Sequence, residues 1–238
     1  MARMDEDRNH PTTRRDSLVK AGGLLVAAIG AKSVLTDGAA AATEGTGPAA
    51  VASGAITCVL TPEMTEGPYY LPGEKVRRDI TEGRPGTPLT LKLKVVNAST
   101  CRAIKGAAVD VWHADAGGTY SGVQGSPGTT FMRGVQPTDA TGVAQFATVY
   151  PGWYQGRAVH IHVKVHLGGN VVHTGQLFFP DTLTDTVYRA APYDTRGARD
   201  TRNANDSIFV NGGKRSMLAL GRRGSGYVGA ITMGVHRS

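Results

Sequence analysis

The sequence is poor in cysteine, aromatic residues and charge, with 2 Cys, 6% aromatic and 19% charged residues among 238. Two cysteines cannot build a disulfide-dense scaffold, and with no local histidine partner they cannot complete a tetrahedral thiolate site. The apolar run Ala21 to Ala31 falls far short of the ~20 residues that span a bilayer. No sustained helical period follows residue 56, which excludes a helical bundle or coiled coil there. No glycine-rich dinucleotide fingerprint follows a strand, so no nicotinamide or flavin cofactor is expected. Acidic residues number 19 against 26 basic ones, for a net charge of +7. The basic residues are scattered and form no zinc finger, RNP-type motif or basic helix, so nucleic acid is not an expected partner.

The first forty residues read as an address. A polar start, the pair Arg14-Arg15, the apolar run and the small-residue stretch closing at Ala39 to Ala42 have the layout of a signal peptide of the twin-arginine type. We expect residues 1–42 to be removed, 43–55 to form a flexible leader and 56–238 to form the domain. The destination is extracellular or the cell envelope, with no membrane attachment after removal. That route carries folded proteins, often with a cofactor already inserted, which favours a metal site. Export also makes a Cys58–Cys101 disulfide the default expectation, with two buried thiols as the alternative.

The 32 glycines point to many turns and short strands. From Leu89 apolar and polar residues alternate with the period of a half-buried strand. Similar runs cover Ala107 to Trp112, Val143 to Val149, Val159 to Leu167, Val171 to Phe179 and Tyr227 to Val235, separated by turn clusters such as Asp139-Ala140-Thr141-Gly142. The expectation is an all-β, antiparallel-rich β-sandwich with long loops.

The chemistry concentrates in Val159 to Leu167. A period of two puts His160, His162, Lys164 and His166 on one face, so two imidazoles can share a metal, although many such pairs are only partly solvated strand faces. His166 is expected beyond the site, toward solvent. No Cys or carboxylate lies near this strand in sequence, so a site here must draw on imidazole and phenolate, and phenolate suits ferric iron. Tyr120 in Gly118-Thr119-Tyr120-Ser121-Gly122 and Tyr154 in Pro151-Gly152-Trp153-Tyr154 are available, with Tyr150 a rival better read as a core aromatic. Trp112, Phe146, His113 and Arg133 are read as structural.

These pieces, together with Thr65-Glu66-Gly67-Pro68-Tyr69-Tyr70, Arg157 and Gln176-Leu177-Phe178-Phe179-Pro180, resemble the intradiol ring-cleavage dioxygenases, non-haem iron(III) enzymes, over residues 65–180. The resemblance implies an iron site between strands and loops, with Tyr120, Tyr154, His160 and His162 as ligands. It implies catalytic roles for Arg157, Tyr154 and Gln176, and a catechol-type diol and dioxygen as substrates. Tyr154 would be the ligand that leaves and takes a substrate proton. Only five residues separate Tyr154 from His160, shorter than in protocatechuate dioxygenases, and the tryptophan that follows the second tyrosine there has no counterpart. Two other readings are a non-enzymatic prealbumin-like module and a zinc hydrolase, the latter lacking a carboxylate or third histidine ligand. Neither the choice among catechols nor the oligomeric state is fixed by the sequence.

Overall fold

In a computed structural model of the chain, the residues described are Cys58, 60–123 and 125–236. The expected signal and leader, residues 1–55, lie outside them. The eight strands are β1 (Pro88–Asn97), β2 (Ala108–Trp112), β3 (Arg133–Pro137), β4 (Val143–Val149), β5 (His160–Leu167), β6 (Asn170–Phe178), β7 (Ala219–Arg223) and β8 (Gly226–Val235). They form two four-stranded sheets, ordered β4-β1-β8-β7 and β3-β2-β5-β6. Every neighbouring pair is antiparallel except β1 with β8. The all-β, antiparallel-rich sandwich expected from the alternation is what is found.

The core follows from the period-two pattern. Leu89, Leu91, Leu93 and Val95 of β1 face Val109 and Val111 of β2 and Ile161, Val163 and Val165 of β5, with Phe146, Leu177, Met233 and Val235 completing one buried cluster. Each such side chain removes apolar surface from water at about 25 cal/mol per Å². Tyr150 belongs to this cluster, its hydroxyl bonded to Thr184 Oγ1 at 2.8 Å, so it packs rather than serving the site. Asp139 closes the β3–β4 turn by accepting from Thr141 N and Val143 N at 2.8 and 3.0 Å.

Two expectations are corrected. β5 was read as half-buried, yet all residues from His160 to Val165 are buried. A second layer covers its polar face. The segment 60–76 crosses over it, and the residues after β6 cover the rest with a seven-residue helix α1 (Asp181–Val187) and a one-turn helix α2 (Ser207–Val210). These short helices, along with strands β3 and β7, were not foreseen. α1 carries five threonines and aspartates among its seven residues, which gives it no clear apolar stripe.

Cys58 and Cys101 are joined by a disulfide with Cα atoms 5.1 Å apart, which ties the start of the covering segment to the loop after β1. Reduction should lower the stability of the folded domain by about 2–4 kcal/mol, read as a shift in urea midpoint between oxidised and reduced protein. An unchanged midpoint would show that the link restrains nothing.

Candidate metal centre

His160 and His162 lie on the outward face of their sheet, opposite the core. β5 pairs with β2 on one side, with Trp112 against His162, and with β6 on the other, with Gln176 against His162. Trp112 stacks flat on the His162 ring, centroids 4.9 Å apart and planes 8° apart. It packs as expected, but its partner is a site residue. His160 Nδ1 donates to the Ala158 carbonyl at 2.6 Å, which leaves the Nε2 lone pair facing into the site. The two Nε2 atoms stand 3.0 Å apart.

Two turns bring the tyrosines to this point. Gly152 N donates to the Asp115 carbonyl at 2.9 Å, and a Cβ at Gly152 would overlap the Ala116 carbonyl. The glycine lets the two turns meet backbone to backbone. Tyr154 then places its hydroxyl 3.2 Å from His160 Nε2, and the Tyr120 and Tyr154 rings meet edge to face at 5.5 Å. Arg133 anchors the Tyr120 turn from β3. Its Nε and Nη2 donate to the Ser121 carbonyl at 3.1 and 2.8 Å, and Nε also reaches Ser121 Oγ at 2.9 Å. The structural reading of Arg133 therefore holds.

The roof over the site is the segment 63–76. Gln176 Nε2 donates to the Thr65 carbonyl at 2.9 Å, Lys164 pairs with Glu66, and the Lys164 ammonium sits 3.6 Å from the centre of the Tyr70 ring. Gly67, at φ 72°, passes so near His162 that a Cβ would lie 3.2 Å from Cε1. Tyr69 stacks on Tyr120 at 4.5 Å. His166 lies farther along β5, half-buried, facing a cleft of about 540 Å³ with Tyr70 and Asp110. His113 is a packing residue, bonded to the Ala114 carbonyl and Thr148 Oγ1, each at 2.8 Å.

Arg157 borders the tyrosines. Its Nη1 lies 3.4 Å from the Tyr154 hydroxyl and its Nη2 donates to Gln176 Oε1. Its Nε donates to Asp206 Oδ2 at 2.9 Å, a partner that sequence reasoning missed. The available signal was local: Asp206 followed by Ser207-Ile208-Phe209 is an N-cap pattern.

Burial decides the ionisation of the donor set. It pushes the His160 imidazolium down to about 3, with the Arg157 charge adding to the effect. It pushes His162 well below the usual range, with His160 and Arg157 adding. Burial raises Tyr120 well above its usual value, and the neighbouring Tyr154 raises it further. Tyr154 is raised less, because Arg157 partly offsets the burial. Neutral imidazoles and phenols thus converge on one point, with the His160 and His162 Nε2 atoms 3.0 Å apart and the buried Tyr120 hydroxyl coupled to that of Tyr154. Two imidazole nitrogens and two phenol oxygens, enclosed together, fit a hard trivalent cation that ionises phenols.

A family model described as Dioxygenase matches residues 65–210. An intradiol ring-cleavage dioxygenase from Tetranychus urticae is 34% identical with a TM-score of 0.71, the match covering 75% of this chain and 95% of that one. The chain belongs to the intradiol ring-cleavage dioxygenase family. The dioxygenase domain of a carbohydrate-binding fusion from Streptomyces sp. SirexAA-E is 29% identical, at TM-score 0.59, over 75% of this chain and 99% of that one. A chlorocatechol 1,2-dioxygenase from Pseudomonas putida is 28% identical over 135 residues, 48% of this chain and 52% of the relative. The chain spans about half the length of the curated relatives it matches.

The buried imidazoles give this dioxygenase fold a signed pH dependence. His113 and His160 have folded values of about 4 and about 3, below the ~6.5 of an unfolded histidine. The unfolded chain therefore binds more protons in that window, and the stability these neutral rings contribute is present above ~6.5 and lost on acidification. Metal-free protein should lose about 1.4 kcal/mol per pH unit for each such histidine between pH 6 and 4. Urea titrations at several pH values measure this slope, and a flat profile would contradict the burial argument.

Proposed function

We propose that this chain catalyses intradiol (ortho) cleavage of a catechol-type aromatic diol by dioxygen at a non-haem ferric ion held by Tyr120, Tyr154, His160 and His162, giving a cis,cis-muconate-type dicarboxylate. The observation that carries the reading is the convergence of the His160 and His162 Nε2 atoms, 3.0 Å apart, with two phenols, one of them fully buried. Ferric iron, when bound, activates a chelated catecholate toward dioxygen.

The residues divide the remaining work. Neutral His160 and His162 offer lone pairs without first losing a proton. Tyr120 is 1% exposed, so solvent cannot exchange its proton readily and it serves as the fixed anionic ligand. Tyr154 is half-buried and stands at the open side, where as a phenolate it can take a proton from an arriving diol hydroxyl. Arg157 presents Nη1 toward that same oxygen and stabilises negative charge developing on the substrate. Gln176 holds the other arm of the guanidinium, and the stacked ring of Tyr69 walls the approach.

A non-enzymatic prealbumin-like module needs no pair of phenols enclosed beside paired imidazoles. For a zinc hydrolase, no group of three or more His, Cys, Asp or Glu side chains with metal-binding spacing exists among the described residues. Export by the twin-arginine route remains our proposal for residues 1–42, with 43–55 as leader, and the Cys58–Cys101 link supports an oxidising destination. Among the described residues no helix is long and apolar enough to cross a membrane.

Purified protein loaded with iron should hold about one ferric ion per chain and show a burgundy tyrosinate charge-transfer band. It should consume oxygen with at least one of catechol, protocatechuate, hydroxyquinol or a chlorinated catechol. A colourless protein that takes up no iron overturns the proposal. Tyr120→Phe should lose iron affinity and colour together, whereas Tyr154→Phe should keep iron and lose turnover. Arg157→Ala should keep both iron and colour while kcat falls by about 10²–10³. Full activity of Tyr154→Phe would show that the proton acceptor is misassigned.

A further inference from the structure

Arg157 can face an anionic substrate only if its guanidinium plane is fixed, and the three nitrogens are shared among three partners. Nη1 points to the Tyr154 hydroxyl, Nη2 to Gln176 and Nε to Asp206. Gln176 is itself tied to the roof through Thr65. Asp206 is 1% exposed and lies 49 positions downstream of Arg157. Its Oδ2 accepts from Arg157 Nε at 2.9 Å and Ala158 N at 2.8 Å. Its Oδ1 accepts from Ile208 N at 2.8 Å and Phe209 N at 3.1 Å, capping α2. Four N–H groups thus use the carboxylate fully, leaving no acceptor free for a substrate. Any part it takes in the reaction must run through Arg157.

We infer that Asp206 is a positioning residue, the element that sets the guanidinium plane of Arg157 so that Nη1 faces Tyr154 and the diol site; this rests on the dioxygenase reading above. The cap makes the carboxylate a rigid anchor, because rotation of the Asp206 side chain would break two backbone bonds at the start of α2. Ala158 N, bound to the same oxygen, precedes His160 by two residues, so one carboxylate registers the arginine to the start of the metal-facing strand.

The test separates the two duties of Asp206. Serine at this position retains an Oγ that can cap α2 but is too short to reach Arg157, and alanine loses both contacts. Iron content and the tyrosinate band should match wild type in Asp206→Ser and Asp206→Ala. In both, kcat for oxygen uptake should fall about 10- to 100-fold, with KM changing far less, while only Asp206→Ala shows a large drop in Tm. If kcat instead follows Tm, near wild type in Asp206→Ser and low only in Asp206→Ala, the role is structural and the inference is overturned.

A second readout needs neither iron nor turnover. In metal-free wild-type protein the Arg157 Nε–H resonance should exchange slowly with water, and in Asp206→Ser as fast as in an exposed arginine. Fast exchange in wild type overturns the clamp even if neither variant folds. If wild-type protein takes up no iron and cleaves no diol, the functional reading fails, and this resonance still decides whether Asp206 holds Arg157.

Discussion

The constraint on which the molecule turns is that the outward face of the β3-β2-β5-β6 sheet must be kept from water although it carries two imidazoles, a lysine, an aspartate and a glutamine. A buried polar group without a partner costs about 1–3 kcal/mol, and this face bears that cost at Trp112 Nε1 and His162 Nδ1. Elsewhere on it the roof supplies partners: Thr65 for Gln176 and Glu66 for Lys164. What distinguishes the metal-facing point is its donor set, two imidazole Nε2 atoms 3.0 Å apart beside two phenols that meet edge to face.

The two faces of β5 are asked for different things. Ile161, Val163 and Val165 join the sandwich core, where stability is gained through apolar area. His160 and His162 contribute through position: residues two apart on a strand are separated by about 6.6–6.8 Å, and the rings close that gap until their Nε2 atoms stand 3.0 Å apart. A strand paired on both sides holds that separation more firmly than a loop could. The tyrosines come from turns, whose shape is set by close backbone approach at Gly152 and by the Arg133 anchor.

Strong period-two alternation made six of the eight strands legible, and the histidine pair followed from the same period. β3 and β7 were not legible because each has five residues, β3 containing Gly134 and Pro137 and β7 exposing most of its side chains at a sheet edge, which leaves little alternation to read. The double burial of β5 was hidden because its cover lies far upstream in the chain, as in the pairing of Lys164 with Glu66. Asp206 was hidden for the same reason. The family resemblance placed both tyrosines and Arg157 at once, since each sits in a short motif whose residues are contiguous, whereas the partners that orient them are not.

The two tyrosines differ less in chemistry than in access. Both phenols are pushed up by burial, but Tyr120 lies beneath Tyr69 and 1% exposed, while Tyr154 is half-buried with a guanidinium beside its oxygen. A proton shared with an incoming diol must travel where the diol can reach, and a phenolate that gives up its place at a metal needs a nearby cation or donor to hold its charge during exchange. Tyr154 has both, whereas Tyr120, although within the field of Arg157 and Arg133, is closed to the diol. The asymmetry that the proposed reaction requires is therefore fixed by the depth of two turns and the placement of one arginine, before any metal enters.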